Sequence, residues 1–267
     1  MSTREIDPLI SLPTPLTDEE AKLLAEELKT QIENGDMLKS DESNVQKIIA
    51  GLGDKRGLLR RTFSESLGII GVDSLPYLKL ALQSSPNVIV RRSAAKAIKL
   101  VGDKTALPDL LQALLNDKDP VVQGSSVAAM AIFGEDAVEM LITVLSNPET
   151  SALQSGLASW ALSFIGAEAP NSLRGATKSG SSLVRAAAIA ALGEQIQLSV
   201  NKSDKNLVRA ALEDSAKEVR LAAAILVGKL DNPAWAKEYL ISLLADKESE
   251  VRKSAAISLM QLKKFEA

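Results

Sequence analysis

The chain has neither a cysteine nor a histidine among its 267 residues. The first absence excludes disulfides, thiol catalysis and thiolate-bound metals. The second removes the commonest general base and transition-metal ligand. Aromatic residues are scarce as well, 3% of a chain that is 46% hydrophobic. The core must therefore be made of Ala, Leu, Ile and Val, which suits closely packed helices. A formal charge of −3 leaves no excess of Lys and Arg for a phosphate backbone, so nucleic acid is not an expected partner. Long apolar runs are missing too: stretches such as residues 127–133 are far too short to span a bilayer. The first residues carry Arg4, Glu5 and Asp7 without an apolar segment, which speaks against a secretory signal. The expectation is a soluble, cytoplasmic protein with no membrane span and no metal site.

What the chain does have is an internal phrase. Residues 87–117 read as a helix with Ala94, Ala95, Ile98 and Val101 on one face. A break follows at Gly102-Asp103, and then a second amphipathic helix carrying Leu107, Leu110, Leu111, Leu114 and Leu115. Aligning the copies gives Arg60, Arg91, Gln123, Ser155, Arg185, Arg220 and Arg252, with steps of 31, 32, 32, 30, 35 and 32 residues between these positions. Seven positions later stand Leu67, Ile98, Met130, Leu162, Leu192, Val227 and Leu259, always apolar. Three positions later stand Phe63, Ala94, Ser126, Ala158, Ala188, Ala223 and Ala255, nearly always small. One helix pair cannot hide both of its apolar faces, so each copy needs its neighbours. The fold class expected is all-α: a solenoid of helical hairpins stacked into a right-handed superhelix, its second helices lining a concave face.

Three segments are expected. Residues 1–16, with Pro8, Pro13 and Pro15, form an extended or disordered arm. Residues 17–53 form two capping helices, the first opened by a capping box from Thr17 to Glu20 and stopped at Asn34-Gly35, the second opened at Ser43. Residues 54–267 form the array, with about six helix pairs and a polar terminal helix at 250–264.

No reactive constellation stands out. Gly51, Gly53 and Gly57 lack dinucleotide-loop spacing, and residues 175–180 lack the Lys that follows the last glycine of a nucleotide phosphate loop. The candidates are instead cations and aromatics. Arg in the first helical turn opposes the helix dipole and wants an anion nearby. Asp54, Asp117, Glu149, Asp214 and Asp246 lie six residues before the aligned positions. One reading is an Asp–Arg ladder between repeats. The other is that unpaired members bind ligand carboxylates, above all Arg91 and Arg92, where Ser85 replaces the acid, together with Arg60. In the fourth copy Trp160, Arg174 and Lys178 suggest either local packing or a groove, and Gly175 within residues 170–179 suggests close backbone approach. Trp235 and Tyr239, one turn apart, are a contact patch or inter-repeat packing.

The phrase Val90-Arg91-Arg92-Ser-Ala-Ala-Lys-Ala-Ile, followed by Gly102-Asp103-Lys-Thr-Ala-Leu-Pro108, is similar to the phycobilisome-lyase type of HEAT-like repeat. Val219-Arg220-Leu-Ala-Ala-Ala-Ile and Val251-Arg252-Lys-Ser-Ala-Ala-Ile repeat it, so the likeness covers about residues 54–264. With Ser159-Trp160-Ala161-Leu162, the chain most resembles cyanobacterial relatives of the E/F-type phycocyanobilin lyases. That resemblance implies a protein-binding scaffold, an adaptor or assembly factor on phycobiliproteins or other photosynthetic complexes. Its alternative is a lyase or lyase subunit that attaches, isomerises or detaches phycocyanobilin on an acceptor cysteine. It implies no required cofactor, phycocyanobilin as the bound pigment, a second HEAT-repeat subunit as partner, and a place in the cytoplasm or at the periphery of the phycobilisome or thylakoid. Arg60, Arg91, Arg92 and Trp160 would face the pigment. Lyase subunits of this type carry a Tyr/Trp run in an early helix, whereas residues 59–68 here hold one aromatic, Phe63.

Overall fold

A computed structural model describes residues 11–198, 202–231 and 233–266 of the chain. All regular structure among them is helical, and two compact units divide it, residues 1–133 and 134–267.

The first unit holds α1 (Asp18–Asn34), α2 (Glu42–Gly51), α3 (Gly57–Ile70), α4 (Leu75–Ser84), α5 (Val88–Val101), α6 (Leu107–Asn116) and α7 (Pro120–Ala131). The predicted capping box is present: the Glu20 amide donates to Thr17 Oγ1, and the Thr17 amide donates to the Glu20 carboxylate. Gly35 ends α1 in the left-handed region at φ 74°, where only glycine is free of strain. The start of α2 differs from expectation. Asp41, not Ser43, is its cap and accepts the Asn44 amide, because its carboxylate lies just outside the first turn. The helices α3, α5 and α7 pack side by side, with α4 and α6 behind them. Proline stands in the first turn of α4, α6 and α7, where its missing N–H costs nothing. The arm's first ten residues lie outside the described ones. Ser11, Leu12 and Pro13 line a shallow cleft with Gln46, Ile49, Tyr77 and Leu80.

The second unit holds α8 (Glu135–Ser146), α9 (Ala152–Ile165), α10 (Pro170–Ala176), α11 (Ser182–Ala191), α12 (Gly193–Leu198), α13 (Lys202–Leu212), α14 (Lys217–Lys229), α15 (Lys237–Leu243) and α16 (Ser249–Glu266). A row of α9, α11, α14 and α16 is backed by α8, α10, α13 and α15. The longer step in the fifth copy is explained by α12, a short helix inserted between the two helices of the hairpin.

The aligned arginine position is the fourth residue of every first helix, from α3 to α16. The two apolar registers follow from that geometry. Phe63, Ala94, Ser126, Ala158, Ala188, Ala223 and Ala255 are all fully buried. Leu67, Ile98, Met130, Leu162, Leu192 and Val227 are buried as well. Leu259, in α16, is only half-buried. A further register goes unnoticed in the sequence. Eight positions past the arginine, Gly68 and Gly228 face the next helix: a Cβ on Gly68 would lie 2.7 Å from Leu100 Cβ, and one on Gly228 2.5 Å from Ser258 Oγ. These glycines let neighbouring first helices approach closely.

Candidate functional site

The arginines are organised in a regular way. Arg91 Nη1 donates to the carbonyl of Ser85, six residues back, while Nε and Nη2 grip Asp117 at 2.6 and 3.0 Å. Arg185 repeats this with the Ser179 carbonyl and Asp214, and Arg220 with the Asp214 carbonyl and Asp246. Each acid also accepts an amide two residues on, which fixes its own turn: Asp119 for Asp117, Ala216 for Asp214, Glu248 for Asp246. The ladder therefore runs forward, from one copy's arginine to the acid before the next copy's helix. Arg185 and Arg220 hold the carboxyls of Asp214 and Asp246 below the ordinary range. Burial pushes Asp117 up, but the hydrogen bonds from Arg91 and the Asp119 amide outweigh it and its carboxyl also sits low.

This corrects one expectation. Arg91 and Arg92 are not unpaired, because Arg92 is bound to Asp119, the cap of α7. Ser85 precedes Arg91, and with a forward ladder its missing carboxylate falls on Arg60. Among the described residues Arg60 keeps only the Asp54 carbonyl, through Nη1, while Asp54 itself is taken by Arg56. Gln123 takes the Asp117 carbonyl, as the arginines do, but its Oε1 has no hydrogen-bond partner among the described residues. Beside Arg91 and Asp117 lies an open cleft of about 290 Å³, lined also by Ser85, Gln112, Asn116 and Lys118.

In the second unit Arg174 is also committed, its Nε and Nη2 bonded to Asp204 at 2.9 and 3.0 Å. The expected crowding at Gly175 is absent, since a Cβ there would meet nothing within 4 Å. Trp160 stands on the outside of α9, 49% exposed, and stacks on Phe164, 61% exposed, with ring centroids 5.8 Å apart. No residue of α9 is charged, and Leu153 extends the exposed apolar face one further step. Phe63, the lone aromatic of the early helix, is fully buried against Gly51 and is part of the core.

Trp235 and Tyr239 are brought together by a residue the sequence reading passed over. The Arg209 guanidinium, on α13, sits 5.4 Å from the Trp235 ring and 6.0 Å from that of Tyr239. Nothing in the repeat alignment marks Arg209, because it lies on a second helix, outside the register of the ladder. Among the described residues no group of His, Cys, Asp or Glu could hold a metal, and no helix is long and apolar enough to cross a membrane.

Paired helices with arginine rungs between them define a helical-repeat protein. Residues 75–159, 108–193 and 205–267 match the HEAT repeat model, and the chain belongs to the HEAT-repeat family. It is 46% identical over 247 residues to the bilin biosynthesis protein MpeU of a Synechococcus species, spanning 92% of this chain and 83% of that one. It is 36% identical over 124 residues to the uncharacterized phycocyanin operon protein Z of Pseudanabaena tenuis, spanning 44% of this chain and 61% of that one. Among solved structures it is similar to the complex of CpcE and CpcF of phycocyanin lyase from a Nostoc species. There the identity is 20% and the TM-score 0.38, over 87% of this chain and 96% of that one.

Proposed function

We propose that this chain handles a linear tetrapyrrole during the maturation of a phycobiliprotein, binding the acceptor protein and orienting the pigment while the acceptor's own cysteine forms the bond. The observation that carries this reading is the 46% identity, sustained over 92% of the chain, to a protein named for bilin biosynthesis. The chemistry of the residues supports it by elimination. A chain with no cysteine and no histidine has no nucleophile of its own for a carbon–sulfur bond. Addition of the acceptor thiol across a carbon–carbon double bond of the pigment needs none: sulfur bonds to carbon, the proton passes to the pigment, and no oxidant is consumed. The contribution left to this chain is positioning.

A second reading is an adaptor or assembly factor that binds phycobiliproteins, or a second HEAT-repeat subunit, without touching pigment. It is favoured by the internal pairing of Arg91, Arg92 and Arg174, which commits three of the candidate cations, and by the charge-free aromatic face of α9. Both readings place the protein in the cytoplasm, at the phycobilisome. Incubating the chain with phycocyanobilin and an apo-phycobiliprotein, then scoring pigment retained on the denatured acceptor, separates them. Chain-dependent covalent pigment supports the first. Co-purification with the acceptor and no effect on pigment supports the second. Neither result leaves both in doubt together.

A further inference from the structure

Seven arginines among the described residues, Arg56, Arg61, Arg91, Arg92, Arg174, Arg185 and Arg220, meet a carboxylate. Five of them, all but Arg61 and Arg92, do so through the Nε–Nη2 edge with one oxygen for each nitrogen, the two-pronged geometry that suits a carboxylate. Arg209 departs from the pattern. Its Nη1 donates to Asn206 Oδ1 at 3.1 Å, one turn back on the same helix, and its Nε is buried with no hydrogen-bond partner among the described residues. No carboxylate pairs with Arg209 among the described residues, and Glu213 follows directly after the last residue of α13. Lys205, one turn earlier, adds a second cation to the same face, and like charges at that spacing repel. Two aromatic rings fix the guanidinium from the side, Trp235 and Tyr239, both half-buried. The Arg209 guanidinium is therefore held by rings and meets no carboxylate among the described residues.

We propose that Arg209, with Trp235 and Tyr239, forms a subsite for a carboxylate carried on a flat conjugated ligand, specifically a propionate of a linear tetrapyrrole. The inference rests on the reading that this chain handles bilins, and it names where the pigment's acid group is held. The carboxylate is received by the Arg209 guanidinium, and the adjoining ring system packs against the exposed margins of the two aromatic side chains. The ladder arginines that hold an aspartate, Arg91, Arg185 and Arg220, are poorer sites, because a ligand there must first displace it.

The chain has two tryptophans, so Trp160→Phe leaves Trp235 as the sole indole reporter. That protein is titrated with biliverdin and, in parallel, with biliverdin dimethyl ester, following both indole emission and pigment absorbance. The expected result is saturable quenching of Trp235 by the free acid, with binding at least tenfold weaker for the ester and for Arg209→Gln, and intermediate for Arg209→Lys. The ester comparison needs no variant, so it decides the matter even if Arg209→Gln fails to fold. Equal affinity for acid and ester, with pigment still bound, overturns the subsite and leaves the bilin-handling reading standing. No binding of either pigment to the unaltered chain overturns that reading, and the subsite falls with it.

Discussion

Arg220 and Asp246 lie 26 residues apart in sequence and are joined by two hydrogen bonds of 2.7 and 3.0 Å, with both side chains almost wholly withdrawn from solvent. The same guanidinium holds the Asp214 and Ser215 carbonyls through Nη1, so one side chain closes its own turn and clamps the next. Removing one partner strands the other charge in the interior. Asp246→Asn is expected to lower unfolding free energy by about 2–4 kcal/mol, and Arg220→Lys, which keeps the charge and loses the fork, by about 1–2 kcal/mol. Urea melts followed by circular dichroism give both values. The corresponding change at the broken rung, Arg60→Lys, is expected to move stability far less, since Arg60 meets no carboxylate among the described residues.

The ladder also sets the response to acid. Asp214 and Asp246 titrate lower in the folded chain than the ordinary value of about 3.9. The unfolded chain then binds more protons than the folded one, so stability falls as pH drops. The contribution is complete above the unfolded value and is lost as pH falls from there through the folded one. With no histidine to titrate, melting temperature is expected to stay level between about pH 6 and 7. It should decline steeply below about pH 4, and less steeply in Asp246→Asn, as read from thermal melts across a pH series.

Two helical glycines make opposite predictions. Gly68 faces Leu100, and a methyl group there would lie 2.7 Å from Leu100 Cβ on the neighbouring helix, so Gly68→Ala is expected to destabilise by about 1–3 kcal/mol. Gly156 lies within α9 with open space around it, so Gly156→Ala is expected to stabilise by about 0.5–1 kcal/mol through helix propensity. Equal signs in the two thermal melts would contradict the close-packed register described above.

The α9 face predicts a separation of stability from binding. Trp160 and Phe164 are largely exposed and stack on each other, so changing both to Ala is expected to shift unfolding free energy by less than about 1.5 kcal/mol. If this face contacts the acceptor, the same variant should weaken binding to an apo-phycobiliprotein at least tenfold in calorimetry, as expected of a central aromatic anchor.

The sequence made the repeat legible because the helical period and the spacing between copies act at every position. The position shared by the copies is the fourth of each first helix, and the apolar registers built on it are buried, Leu259 excepted. What stayed hidden depends on geometry between copies. The arginine and the acid six residues before it look like partners in sequence, yet the side chain reaches forward to the next acid, 26 residues on for Arg91. That reversal moves the missing carboxylate from Arg91 to Arg60. Asp41 was missed because Ser43 offered an equally good capping side chain two residues later. Arg209 could have been found by a different signal, a cation on a second helix with no acid in its register and aromatics one repeat ahead.

The most direct test of bilin handling is the visible circular dichroism of phycocyanobilin, mixed with this chain before any acceptor is added. A pigment seated asymmetrically on the protein should show a saturable induced signal with a shifted absorbance band. The same signal should give way to the acceptor's own spectrum once an apo-phycobiliprotein is supplied. A spectrum that stays that of free pigment at all protein concentrations, and is unchanged when the acceptor is added, would contradict the account.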